Sequence, residues 1–411
     1  MNKATAEKNK IVIRETKSKR VRNFGITKRL SKLDMNGYHE YFLNEVPALE
    51  DGSDNFLASE EVRRTVSQLL KVKGVLWVIV RAYEINIHIC YAIDWTDIQW
   101  QLLNIMEANL FAADAVVIEN RTKQKDITTR PEGGYDRIRA RDTNSKLIRH
   151  FGVSERLTAA AMNGYHEYWV GDLVKLKNGT DKFLDSPQAQ QTIIALLQVP
   201  GIEYVLVRPY EMNVKRAHVM SWSDLDGVIL RILQEELFAE KFVPIDDWTD
   251  ERTLDCVPRR SNARIRIRHT NSRQIRHFGV TKRLTVGQFT DYLTYYPNQV
   301  SQLEDGTDKY LNSAEGRNTI AALLKVTGVT SILVRPYEIN IGLASAFDWD
   351  DFQEETVELI KAGLFTNAPT VEIESSHENI KPYLEQFLFA NEQTVEIEDM
   401  VDRSVVYERP D

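Results

Sequence analysis

The residues of this chain best suited to hold a metal, or to act as nucleophile and base, are two cysteines and eight histidines. His88 and Cys90 fall in the segment Glu84 to Cys90, whose alternation predicts a strand, and residues i and i+2 of a strand share a face. Glu84, Asn86, His88 and Cys90 would then project together, a donor set of the zinc or non-haem iron kind. A second histidine motif, Tyr-His-Glu-Tyr, occurs at 38–41 and again at 165–168. An iron–sulfur cluster ordinarily takes four thiolates, and Cys90 and Cys256 cannot supply them within one chain. There is no glycine-rich phosphate loop of the Walker or Rossmann type.

Two further groups carry charge in a pattern. Arg81, Tyr83, Glu84 and Asn86 form one, and an arginine beside a hairpin tip can grip a partner's carboxylate in a bidentate fork. The other is a set of arginine-rich segments: Arg137, Arg139, Arg141 and Arg149, then Arg264, Arg266, Arg268 and Arg276. A basic sheet face of this kind could bind nucleic acid or another polyanion. The net charge of −8 favours instead a solvated face, or one that docks on acidic parts of the same chain. The acidic stretch TVEIEDMVD near the C-terminus is such a part.

A repeat decides which of these residues the fold itself requires. RNFGI at 22–26 returns as RHFGV at 149–153 and at 276–280. Gly25, Gly152 and Gly279 are 127 residues apart, and so are Trp95, Trp222 and Trp349. The charged group at the tip recurs at the same interval, as Arg208, Tyr210 and Glu211 and as Arg335, Tyr337 and Glu338. The chain therefore divides into a basic leader (1–9), three units (10–136, 137–263 and 264–390) and an acidic tail (391–411). His88 is replaced by Lys215 and Gly342, and Cys90 by Ala217 and Ala344. No histidine or cysteine position is common to all three units, which argues against a repeated metal or catalytic site.

Composition agrees with a globular chain of several domains: 411 residues, 43% hydrophobic and 27% charged. Two cysteines exclude a disulfide-stapled scaffold, and no apolar run is long enough to span a membrane. The N-terminus is basic with no apolar run behind it, so a cytoplasmic location is expected.

The elements that must position the charged groups can be read from one unit. Arginine alternating with isoleucine at 264–268 predicts a strand, followed by a Thr-Asn-Ser turn and a second strand. A variable segment then ends in Asp-Gly or Asn-Gly turns. Ser59, Ser186 and Ser313 are placed to cap helices that stop at Gly74, Gly201 and Gly328. A hairpin with a Pro-Tyr-Glu or Ala-Tyr-Glu tip follows. A last helix opens at Asp94, Ser221 or Asp348, with Asp97, Asp224 or Asp351 completing a capping box. A short strand-like tail ends the unit. The class predicted is α+β, three tandem repeats each with an antiparallel sheet covered by two helices.

In unit two the run SPQAQQTIIALLQVPGIEYVLVRPYEMNV, with SWSDLDGVILRILQEEL after it, resembles the N-terminal domain of the Nfu/NifU-like iron–sulfur scaffold family. Units one and three fit the same frame through Ser59, Gly74 and Trp95 and through Ser313, Gly328 and Trp349. The family's Cys-x-x-Cys domain, which carries the cluster, is missing from this sequence. The resemblance thus implies an accessory module that binds other proteins, iron–sulfur assembly factors or their clients. The expectation is a non-enzymatic adaptor without cofactor, metal or catalytic residues. Its candidate partner-binding residues are Arg81, Tyr83, Glu84, Arg208, Tyr210, Glu211, Arg335, Tyr337 and Glu338. Polyanion binding through the arginine strands is the alternative.

Overall fold

The computed structural model describes residues 9–376, except 112–114, 130–134, 240–242, 250–262, 271, 288–291 and 369. Unit one runs β1 (Lys10–Glu15), β2 (Val21–Ile26), β3 (Tyr38–Phe42), α1 (Val46–Asp51), α2 (Glu60–Leu70), β4 (Val75–Arg81), β5 (Glu84–Ile89), α3 (Trp95–Leu110) and β6 (Val117–Asn120). Unit two repeats the order as β7 (Ile138–Asp142), β8 (Ile148–Val153), β9 (His166–Trp169), α4 (Leu173–Lys177), α5 (Pro187–Gln198), β10 (Ile202–Arg208), β11 (Glu211–Arg216), α6 (Trp222–Ile232) and β12 (Ile245–Trp248). Unit three does so as β13 (Arg264–His269), β14 (Ile275–Val280), β15 (Leu293–Tyr295), α7 (Val300–Glu304), α8 (Ala314–Leu324), β16 (Val329–Arg335), β17 (Glu338–Leu343), α9 (Trp349–Leu364) and β18 (Glu372–Ser376).

Each unit builds one six-stranded sheet, in the first case ordered β3-β4-β5-β2-β1-β6. The class is α+β with three similar units, as the alternation and the helix signals predict. One strand is not predicted by the sequence pattern, and the predicted tail strand pairs differently from expectation. The variable Tyr-His-Glu-Tyr segment is an edge strand paired antiparallel with β4. The tail strand β6 joins the other edge parallel to β1, so the sheet is mixed rather than wholly antiparallel. A short helix, α1, also precedes the two long ones.

One sheet face is apolar and lies in the core. Ile11, Ile13, Phe24, Ile85 and Ile87 are fully buried there, with Val62, Val66 and Leu69 of α2 and Ile98 and Leu102 of α3. A shared device ties the last helix to this sheet. Arg22 of β2 lies 4.6 Å over the Trp95 ring and bonds Gln99 one turn further along α3. Arg149 does the same over Trp222, at 4.6 Å, and bonds Asp226. Arg276 lies 5.3 Å from Trp349 and bonds Gln353. Among the described residues no helix is long and apolar enough to cross a membrane.

Ser186 and Ser313 accept hydrogen bonds from the Ala189 and Gly316 amides, 3.1 Å in both cases, and Ser59 holds the same N-cap position. The stops are left-handed glycines, Gly74 and Gly201 at φ +90° and Gly328 at +99°. A methyl group on Gly201 would lie 2.3 Å from Met220 Cγ, and one on Gly74 would lie 2.1 Å from Ile93 Cδ1. Backbone strain and crowding then act together. Gly74→Ala and Gly201→Ala should each cost about 1–3 kcal/mol, read as a lower urea midpoint at unchanged slope.

Candidate functional site: the outer sheet face and the junction between units

The sheet face opposite the helices carries the charge. Residues paired across neighbouring strands share a face, so strand register shows what lies in a row. In unit two Asp246, Arg139, Gly152 and Glu211 fall on one rung across β12, β7, β8 and β11, and Arg208 continues it on β10. Unit three repeats this row as Glu374, Arg266, Gly279, Glu338 and Arg335. In unit one it reads Glu119, Val12, Gly25, Glu84 and Arg81, with Tyr38 at the far edge. The arginine strands and the hairpin-tip group, separate in sequence, are therefore one continuous row.

In units two and three this row meets the preceding unit. The loop before α3 of unit one, Tyr91 to Asp94, sits over Gly152, where an added methyl group would lie 3.4 Å from the Ala92 nitrogen and from Tyr91 Cβ. Gly279 faces Val219 of unit two in the same way, at 3.1 Å. Glycine is required here for close approach rather than for its backbone angle. Arginine closes the contact from the side. Arg137 reaches Asp94 at 2.9 Å and Asp97 at 3.5 Å. Arg139 bonds Asp94 and donates to the Tyr91 carbonyl at 2.7 Å, while Asp246 of its own unit holds it at 2.8 Å. Arg141 lies 4.1 Å from the Tyr91 ring centre. At the next junction Arg264 takes Asp224 at 2.9 Å and the Val219 carbonyl at 3.2 Å. Arg266 takes the His218 carbonyl at 2.7 Å, and Arg268 takes His218 Nδ1 at 3.0 Å.

The hairpin-tip tyrosines follow the same logic. Tyr210 is 5% exposed and packs into the core cluster of unit one. Tyr337 is 6% exposed against Ala217 and Val219 of unit two. Tyr83, in unit one, is 49% exposed. Arg29, Arg156 and Arg283 lie over these three rings at 5.7–5.8 Å. Of the other tip residues, Arg81 is 3.8 Å from Glu84. Arg81, Arg208 and Arg335 lie 5.8–6.0 Å from the rings of Tyr38, Tyr165 and Tyr292. Glu338 is buried between Arg268 at 3.0 Å and His277 at 2.6 Å.

All eight arginines proposed for polyanion binding thus have partners within the chain. Six line the junctions, and Arg149 and Arg276 stack on tryptophan inside their own units. The stretch expected to neutralise them, 391–411, lies outside the described residues. Arg137, Arg139, Arg264 and Arg266 meet instead the helix-capping aspartates of the unit before or the last strand of the unit itself, while Arg268 pairs with Glu338 and Arg149 with Asp142 and Asp226 of their own units. Sequence could have shown this, since Asp94, Asp97 and Asp224 were already recognisable as caps. A groove of about 1100 Å³ opens beside the second junction, between Leu173 and Leu197 of unit two and Lys282 and Phe365 of unit three.

Cys90, His39, His88 and His166 serve packing. Burial pushes the Cys90 thiol up to about 12, which keeps it protonated. His88 packs on Trp77 at 4.7 Å, His39 on Tyr41 at 4.3 Å and His166 on Tyr168 at 4.5 Å. Cys256 lies outside the described residues. Among the described residues no cluster of three or more His, Cys, Asp or Glu has metal-binding geometry. Comparison with protein-family models, with curated proteins and with solved structures finds no match.

Removing the Arg139 side chain leaves Asp94 and Asp246 sharing Arg137, at 2.9 and 3.7 Å, with Arg20 at 3.8 Å from Asp94, in place of the buried cation between them. Arg139→Ala should cost about 2 kcal/mol, at the low end for a broken buried pair because Asp94 is half-exposed. The loss should fall on the coupling between units, so a single calorimetric transition should split into two. His150, against Tyr91 at the first junction, and His218, at the second, supply a pH dependence. Burial, then Arg141 for His150 and Arg268 for His218, holds each down to about 3. The unfolded chain protonates these rings below about 6.5 and the folded chain does not, so stability falls as pH drops from 6.5 toward 3. Between pH 7.5 and 5 each ring should cost about 2 kcal/mol, and His150→Gln or His218→Gln should flatten the slope in urea titrations.

Proposed function

We propose that this chain is a non-enzymatic adaptor whose three Nfu N-terminal-like modules present docking faces to other proteins, iron–sulfur assembly factors or their clients among them, in the cytoplasm. The observation that carries the adaptor reading is the Arg-Gly-Glu-Arg row. Its Gly-Glu-Arg part occurs on three sheets and its first arginine on two, Val12 replacing it in unit one, and in those two the row grips a capped helix start and the loop before it. A face built to hold such a loop in cis is chemically fitted to hold one in trans. The link to iron–sulfur assembly rests on the sequence resemblance alone. Three linked modules would add avidity to weak individual contacts.

The test is affinity capture from native extract with the full chain as bait, followed by in vitro binding of what is recovered. Iron–sulfur assembly or client proteins should be enriched, and Arg81→Ala with Tyr83→Ala should lower their recovery at least several-fold. Recovery without any such protein would remove the assembly role and leave the adaptor reading to stand on its other partners.

A further inference from the structure

The two internal junctions use one surface against another, unlike, surface: the outer sheet face of a unit on the loop and helix start of the unit before. An interface of this kind leaves one copy of each surface unused at the ends of a finite array. Among the described residues both surfaces show an exposed copy. On unit one, Tyr83 is 49% exposed where Tyr210 and Tyr337 are 5% and 6%. Gly25 is half-buried where Gly152 and Gly279 are buried, and Arg14 is exposed where Arg268 is buried. On unit three, Ala346 is exposed where its counterparts Ala92 and Val219 are buried, and Asp348 and Asp351 are exposed at the start of α9.

We propose that these two free surfaces bind each other between molecules, so that unit one of one chain docks on unit three of a second copy in the register of the internal junctions. Gly25 would face Ala346 as Gly152 faces Ala92. Tyr83 would be buried as Tyr210 is, Lys10 would meet Asp348 and Asp351 as Arg137 meets Asp94 and Asp97, and Arg14 would lie over Ser345 as Arg141 lies over Tyr91. Charge is complementary, since the exposed loop of unit three is acidic and the first strand of unit one is basic. Gly25 itself has room for a side chain, because an added methyl group would make only ordinary contacts of 3.6–3.7 Å. The one feature unit one lacks is the central arginine, replaced by Val12. Contact between molecules is therefore weaker than the internal junctions, which a linker also assists, and Kd falls between roughly 10 µM and 1 mM.

Sedimentation of the full chain from roughly 5 µM to 1 mM tests this. The wild type should grow beyond the monomer as concentration rises. Gly25→Glu blocks the first surface and Ala346→Glu blocks the second, so each variant alone should stay monomeric. An equimolar mixture of the two should form a dimer and stop there, because only one surface of each kind remains. Should either variant melt below the wild type, Tyr83→Ser and Asp348→Lys, both at exposed positions, take their places. A wild type that is monomeric throughout, with the two faces covered from within its own chain, overturns the proposal. So does association that either variant retains alone.

Discussion

The organisation of this protein depends on guanidinium groups set against the capping carboxylates of a neighbouring helix. Arg137 and Arg139 hold Asp94 and Asp97, and Arg264 holds Asp224. The same aspartates accept from the backbone at the helix start: Asp97 from the Asp94 amide at 2.7 Å, and Asp224 from the Ser221 amide at 2.8 Å. A carboxylate here already sits favourably at the positive end of a helix. Bringing in arginine adds charge-assisted hydrogen bonds at little further ordering cost, because the cap has already fixed the acceptor. One element thus starts a helix inside a unit and receives the next unit.

Desolvation sets how much such a contact can contribute. Arg139 is nearly fully buried, and a lone buried cation would be costly. The fold meets this by using the last strand of the same unit as a second counter-charge. Asp246 and Glu374 stand beside Arg139 and Arg266 on the parallel edge strands. Burial and neutralisation therefore come together, and the junction is specified by geometry as well as by area.

Much of this organisation was legible in the residues. The serine N-cap positions, the glycine stops and the capping boxes of α3 and α6 follow from local chemistry and are observed, whereas at α9 the box expected with Asp351 does not form and Asp348 accepts from the Asp350 amide. The edge strand at Tyr38–Phe42 was harder to see. It is short, and its sequence varies between units because only one of its two edges is paired. The position of the arginine strands relative to the hairpin tip was not legible either. Their adjacency arises from strand register between segments about 70 residues apart, and no local period reports it. The sequence pattern shows that no histidine or cysteine position is common to the three units, and it could not show the burial of Cys90 or the ring packing of His39, His88 and His166.

The parallel edge strand has a consequence for how the molecule comes to be made. Strand β12 is the last piece of unit two, yet it supplies Asp246 to the arginine that grips unit one. During synthesis the loop at Tyr91 is finished long before that aspartate leaves the ribosome. A junction is thus completed only when the later unit has been fully translated. Until then the nascent chain holds a folded first unit and an arginine strand short of one of its counter-charges, which delays docking until a whole unit is ready to dock.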